Sequence, residues 1–327
     1  MTVPKPHASQ PNGNGSLPVR RPTIGLALGG GGARGLAHVA MIEAFDELGI
    51  KPDVIAGTSI GAVYGAAYAS GMSGRDLREH TRFILSQRFG LIRDLFSKTQ
   101  QPFQRLLSAV GARNAILDPF VVLEVILPKE VKTTFAECKI PLKIVASDFY
   151  DQDPRIFTDG SLRTAVASSM ALPVVFQPVV LDGRVLIDGG LTNPLPFDLL
   201  LPETDIVVAI DVSGAPVPHS KRVAPTAFAA LFSSAFLFER TIVREKLKAK
   251  QPDIFINAGT SNFQVLDFLK YDDILAAAQP AKERLKQQLA RVLSVETLPV
   301  VDEADVFERM RPPPKRPKRR LLPRPRK

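Results

Sequence analysis

Along this chain, short runs of β-branched and aliphatic residues alternate with longer stretches whose apolar positions recur every three or four. TIGLAL (23–28), DVIAG (53–57), LKIVAS (142–147), RVLID (184–188), DIVVAID (205–211) and DIFIN (253–257) are each bounded by Gly, Pro or Asp. Continuous apolar runs of this length predict strands buried on both faces of a mostly parallel sheet. Between them, Leu36, Val39, Ala40, Ala44, Phe45 and Leu48 form one stripe over 33–48, and Gly49 stops that helix. Asp118 followed by Pro119 predicts an N-cap and first turn, opening a helix through Leu127. Two further long helices are predicted over 226–249 and 271–293, and no internal repeat is visible. This alternation predicts an α/β fold: a three-layer α/β/α domain with a mostly parallel central sheet over 23–300, with a helical insertion at about 73–135.

Composition changes this picture only at the ends. The 327 residues are 45% apolar and 23% charged, ordinary for a globular protein. The net charge of +9 is an appendage: Arg311–Lys327 holds nine Lys or Arg, six Pro and no acid, and the rest of the chain is balanced. A domain that reads polyanions over its whole surface is thereby excluded. Residues 1–22, rich in Pro, Gly, Asn and Ser, read as a disordered leader, and 301–327 as a disordered basic tail. The single cysteine, Cys138, excludes an intrachain disulfide and a Cys-rich metal site, and reads as a small buried apolar residue. The first 22 residues lack the apolar core of a secretory signal, and no run approaches the roughly 20 apolar residues that span a bilayer. Cytoplasm is the expected compartment.

Three segments carry candidate chemistry. Gly29-Gly30-Gly31-Gly32-Ala33-Arg34-Gly35 lies between a strand and a helix. It satisfies G-x-G-x-x-G, but the acid that would hold a ribose is missing from the end of the second strand, and no Gly-Lys-Ser/Thr follows for a P-loop. What remains is a row of bare backbone N–H groups at a helix start, suited to a phosphate or an oxyanion. Gly57-Thr58-Ser59-Ile60-Gly61 is a G-x-S-x-G between a strand and a helix of very small residues, the setting in which a serine Oγ is thrust out on a tight turn. As consecutive β–α units, the two turns emerge on one sheet edge, an oxyanion hole beside a nucleophile; together they predict acyl transfer.

The base is less obvious. His7 lies in the leader, His38 in an apolar stripe and His80 in the insertion; only His219, in the Pro-rich APVPHSKR, stands where a Ser–acid–His order could use it. Ile187-Asp188-Gly189-Gly190 offers an alternative: an acid at the end of a strand, whose partial burial would raise its proton affinity enough to accept the Ser59 proton directly. A Ser-His-Asp esterase for small soluble esters and a non-catalytic nucleotide-binding module both stay open on these residues.

GGGARG (30–35), GTSIG (57–61), ASSMALPVVFQP (167–178) and DGG (188–190), in this order, resemble patatin-like phospholipases, most of all the short bacterial type. The likeness runs from about Thr23 to about Arg291. It implies a patatin-like fold and a lipid acyl hydrolase of phospholipase A or lysophospholipase type, acting through a Ser–Asp dyad and an acyl-enzyme. It further implies Ser59 as nucleophile, Asp188 as base, and Gly30, Gly31 and Gly32 as the oxyanion hole. Arg34 would steady the loop or a lipid phosphate, and Pro173 would sit in a loop flanking the site. No metal or other cofactor is implied. The expected partner is a lipid or phospholipid. The basic tail suits anionic headgroups and would equally suit nucleic acid by charge alone, though a phospholipase favours the membrane surface; a merely solvated tail is the third reading. Phe228, Phe232 and Phe236, one helix turn apart, with Phe238, mark an ordinary core helix or else an acyl-pocket wall or membrane-facing lid. Leu77, Phe83, Ile84, Phe89, Leu91, Ile92, Leu95 and Phe96 in the insertion are candidates for a cap.

Overall fold

The computed structural model describes residues 21–87, 117–214, 224 and 227–293. His7, His219, Phe89, Leu91, Ile92, Leu95, Phe96 and the basic tail lie outside the described residues. An eight-stranded sheet comprises β1 (Ile24–Leu28), β2 (Val54–Thr58), β3 (Leu142–Asp148), β4 (Pro154–Phe157), β5 (Val179–Leu181), β6 (Arg184–Asp188), β7 (Ile206–Asp211) and β8 (Ile254–Asn257). The described helices are α1 (His38–Glu47), α2 (Ile60–Ala69), α3 (Gly74–Gln87), α4 (Pro119–Ile126), α5 (Leu162–Ser169), α6 (Ala227–Ala249) and α7 (Tyr271–Val292), with short 3-10 turns between them. Every apolar run named above folds as a strand. β4 and β5 escape the pattern because they are short, and only Phe157 and Val179 of their residues are buried.

Alternation along the central strands builds two cores. Ile24, Leu26 and Leu28 of β1, Ile55 of β2 and Ile206, Val208 and Ile210 of β7 face a thick layer that includes α1, α2 and α7. Ala27, Val54, Ala56, Val207 and Ala209 face a thin layer made by Leu195, Phe197, Leu200 and Val243 of α6. Both faces are covered, which is why these strands carry no polar alternation. The helix predicted over 33–48 is divided: Gly32–Ala37 is a 3-10 turn and α1 follows. The Ala33 N–H donates to the Val265 carbonyl at 2.7 Å, which holds this first turn against a neighbouring loop.

The parallel part of the sheet is β3–β2–β1–β7–β8. β6 breaks that rule, since it runs antiparallel to β3. β4 pairs with Ile144–Ser147 of β3, and these positions overlap both the Leu142–Val145 partners of β2 and the Ala146–Asp148 partners of β6. Two strands cannot occupy one edge of the same residues, so β2 and β6 follow one another along the other edge of β3. They meet head to head: Thr58 stands opposite Val145 and Asp188 opposite Ala146. RVLID, one of the runs expected of a mostly parallel sheet, is therefore an antiparallel strand that still ends beside Thr58. It enters from beyond the edge and stops where β2 stops. Among the described residues no helix is long and apolar enough to cross a membrane.

Candidate active site

Ser59 occupies a sharp turn between β2 and α2, with φ 55° and ψ −121°. A non-glycine residue there carries backbone strain of about 1–3 kcal/mol, which packing must hold in place. The glycines on either side supply the room. A Cβ at Gly61 would lie 2.1 Å from the Leu28 carbonyl oxygen, and one at Gly57 would lie 2.6 Å from that of Gly61. From this turn Ser59 Oγ donates to Asp188 Oδ2 at 2.7 Å. Ser169 supports this arrangement from α5: its Oγ accepts the Ser59 N–H at 2.8 Å and donates to the Val145 carbonyl at 2.5 Å.

Asp188 is 3% exposed. Its Oδ1 accepts the Gly190 N–H at 2.7 Å, its carbonyl accepts Ser147 Oγ at 2.8 Å, and among the described residues no cation pairs with it. Burial pushes its proton affinity up to about 6, against the opposing pull of the Gly190 and Ser59 hydrogen bonds. A second acid stands behind it. Glu239 of α6 is also 3% exposed. Its Oε1 and Asp188 Oδ1 lie 2.6 Å and 3.1 Å from the point where a Cβ at Gly190 would sit, so the carboxyls are separated by less than the sum of those distances. Burial first, and then the Asp188 charge, hold Glu239 protonated well above the usual carboxylate range.

The Gly-rich turn faces the serine: a Cβ at Gly30 would lie 3.4 Å from Ser59 Cβ. Its N–H groups are not all bare. Gly30 donates to the Pro194 carbonyl at 2.9 Å and Gly29 to that of Ile210 at 3.1 Å, which locks the turn to its neighbours. The three-donor expectation is therefore corrected. Gly31 and Gly32 keep N–H groups with no acceptor among the described residues, whereas Gly30 is engaged. Arg34 ties the turn outward, donating from Nε to the Phe263 carbonyl at 2.8 Å and from Nη1 to that of Ser213 at 2.6 Å.

The family profile described as Patatin-like phospholipase matches residues 26–201, over half of the chain. This chain belongs to the patatin-like phospholipase family. An uncharacterised NTE family protein of Mycobacterium tuberculosis is 30% identical over 251 residues, 75% of this chain and 64% of that one. Patatin-like phospholipase domain-containing protein 7 of Rattus norvegicus is 32% identical over 192 residues, 58% of this chain and 13% of that one. The patatin-like chain thus spans less than two thirds of the length of either relative. Among solved structures, VipD from Legionella pneumophila aligns with TM-score 0.43 and 16% identity, over 82% of this chain and 67% of that one.

Beside the Ser59–Asp188 pair, the patatin-like domain holds a cavity of about 140 Å³ with an almost wholly apolar lining. Leu77 and Ile84 of α3, Val122 of α4, Ile60 and Val63 of α2, and Leu172 and Phe176 of the third block form its wall. Leu77 and Ile84 of the insertion thus line this cavity, whereas Phe83 is exposed. Among the described residues no aromatic of α6 lines that wall. Phe236 borders a separate polar cleft, Phe238 is 61% exposed, and the side chains of Phe228 and Phe232 lie outside the described residues.

Neither described histidine is free to act as base through its Nε2. That atom of His38 lies 2.9 Å from the Gly29 carbonyl, and the fully buried ring is held neutral, its proton affinity lowered to about 4 by desolvation. His80 Nε2 lies 2.9 Å from the Ile126 carbonyl. Cys138 is half-buried, less than expected. Sequence reasoning missed Ser169, although it lies inside a recognised block, and also Glu239. The only local signal for Glu239 was a charged doublet closing an apolar helical run.

Proposed function

We propose that this chain is a lipid acyl hydrolase that cleaves carboxylic esters through a Ser59–Asp188 dyad and an acyl-enzyme. The observation that carries this reading is the 2.7 Å hydrogen bond from Ser59 Oγ to Asp188 Oδ2, made by a serine on a strained turn to a buried carboxylate with no cation partner among the described residues. As Ser59 Oγ attacks the ester carbonyl carbon, its proton passes to Asp188. The oxyanion accepts hydrogen bonds from the N–H groups of Gly31 and Gly32, which have no acceptor among the described residues. Asp188 then returns the proton to the departing alcohol, and the acyl group remains on Ser59. Water attacks that ester, giving its proton to Asp188, and the collapse of the second tetrahedral species releases the carboxylic acid and restores the Ser59 hydroxyl.

The apolar cavity beside Ile60 and Leu172 takes the acyl chain, since it removes hydrocarbon from water and offers few polar groups. The basic tail adsorbs the enzyme to anionic lipid. Arg34 holds the Gly-rich turn through Phe263 and Ser213. A dyad served by Asp188 requires that acid to be ionised, so kcat/KM for a fatty-acyl nitrophenyl ester rises with pH through about 6 and then levels off. A fluorophosphonate labels the wild-type chain at Ser59 and leaves Ser59→Ala unlabelled. Labelling elsewhere, or equal hydrolysis by that variant, removes the serine from the mechanism.

A further inference from the structure

β6 carries the sheet outward past the end of β2. Along this extension Asp148 stands opposite Leu186 and Leu186 opposite Val179, and all three are buried. One step further from Asp188, the Phe149 N–H donates to the Val185 carbonyl at 2.8 Å, and Val185 stands opposite Val180. Residues abreast on paired strands share a face and successive residues alternate, so Phe149, Val185 and Val180 form a row on the face opposite to Leu186. That row is apolar and open. Phe149 is 52% exposed and Val180 70%, with the half-buried Val185 between them. Tyr150, 75% exposed, sets its ring edge-on to that of Phe149 at 5.1 Å.

The layer that covers this face of the sheet stops short of the row. Ser147 and Ile187, the next pair toward the dyad on the same face, are buried, and Ser147 Oγ lies 2.8 Å from Thr192 Oγ1. Apolar residues scattered singly over a surface need no explanation, but four side by side mark a place that something else covers.

Size and charge select the occupant. Four side chains fall far short of the roughly 800 Å² that each partner gives a stable protein interface, so a second copy finds too little to hold. A fluid lipid surface demands no matched shape, and aromatic rings settle at its boundary with water. Asp151, Asp153 and Asp182 are exposed around the row against Arg155 and Arg184, and Arg184 already pairs with Asp148 and Asp151. This rim therefore offers no excess of cations to an anionic surface.

We infer that Phe149, Tyr150, Val180 and Val185 form a seat on a zwitterionic lipid surface, which holds the end of β6, and with it Asp188, about 10 Å from the headgroup boundary. The seat is distinct from the basic tail. Binding through it goes beyond the hydrolase reading and does not depend on turnover; its effect on catalysis rests on that reading.

The chain contains no Trp, so Phe149→Trp gives a unique fluorescent reporter in the full chain. Phosphatidylcholine vesicles shift its emission to the blue, and a lipid brominated on its acyl chain quenches it. In a second arm, Phe149→Ser combined with Val180→Ser weakens flotation with the same vesicles at least tenfold, at low and high salt alike. Val292→Ser, at an exposed apolar position closing α7, floats as wild type does. The double variant hydrolyses a soluble short-chain nitrophenyl ester at the wild-type rate, whereas its turnover of a fatty-acyl ester dissolved in the vesicles falls with binding.

An emission maximum that stays in place, or unchanged flotation of the double variant, overturns the seat. A loss confined to anionic vesicles assigns binding to the tail and overturns it too. A wild-type dimer that the double variant abolishes, with vesicle binding intact, makes the row a contact between copies instead. Equal falls on the soluble and the vesicle-borne ester trace the effect to the dyad and overturn the seat while the hydrolase reading survives. A chain that binds through the row and cleaves neither ester keeps the seat and overturns the hydrolase reading.

Discussion

Asp148 and Asp188 lie on the same two-strand ladder, one closing β3 and the other closing β6, and both are buried. Asp148 is surrounded by donors. The N–H groups of Asp151 and Tyr150 each donate to it at 3.0 Å and Arg184 at 2.7 Å, which together hold its carboxyl below the usual range. Asp188 has a hydroxyl and one backbone N–H, and burial wins over both. The difference is the supply of positive charge and N–H groups. The first acid is fixed in its ionised form as part of a turn, whereas the second is left able to gain and lose a proton near neutral pH, as a general base must.

Exchanging charge for an isosteric amide separates the two. Asp188→Asn is expected to lower kcat/KM for ester hydrolysis by about 10³-fold, since no proton acceptor remains. It is also expected to raise the melting temperature at pH 8. The native state binds the Asp188 proton more tightly than the unfolded chain, so below the ordinary carboxylate range both states are protonated and the penalty is absent. It grows as pH rises through about 6 and is then constant, at roughly 2–3 kcal/mol at most. Melts of both proteins from pH 4 to 8 should diverge across that interval; a variant that melts lower than wild type at pH 8 contradicts the burial argument.

Asp148→Asn should do the reverse. It lowers the melting temperature at neutral pH and leaves hydrolysis close to that of wild type. Because the Asp148 carboxyl is held low, its contribution is present above the usual carboxylate range and fades as pH falls through its lowered value. The two melting curves should therefore converge in acid. A large loss of activity would instead make Asp148 part of the chemistry.

The smallest effect is expected from Glu239→Gln. If Glu239 is neutral while Asp188 ionises, an amide in its place leaves the acid limb of the pH–rate profile near 6. Movement of that limb to lower pH would show that Glu239 carries charge and repels the base.

Much of this site was legible because its parts are local. GTSIG needs only a strand, a turn and a helix within a few residues, and GGGARG needs a turn before a helix, so the chain writes both in order. The third block was legible as a motif, but its contribution through Ser169 was not, because a serine in a helix shows no sign of which distant N–H it will receive. Asp188 was identifiable as an acid closing an apolar run. The direction of its strand was not, because a five-residue apolar run reads the same for a parallel and an antiparallel neighbour. Gly30 failed as an expected donor for a similar reason: its acceptor, the Pro194 carbonyl, is more than 160 positions away.

The order of strands and helices, the two cores implied by apolar runs, the serine turn and the identity of the acid are all contained in the sequence, since each follows from side-chain size and polarity among near neighbours. Tertiary structure alone decided that β6 would meet β2 end to end, which N–H groups of the Gly-rich turn would stay open, and that Glu239 would arrive from a distant helix. These depend on which surfaces exclude water together. Such exclusion sets proton affinities and leaves donors unanswered, and no residue carries it by itself.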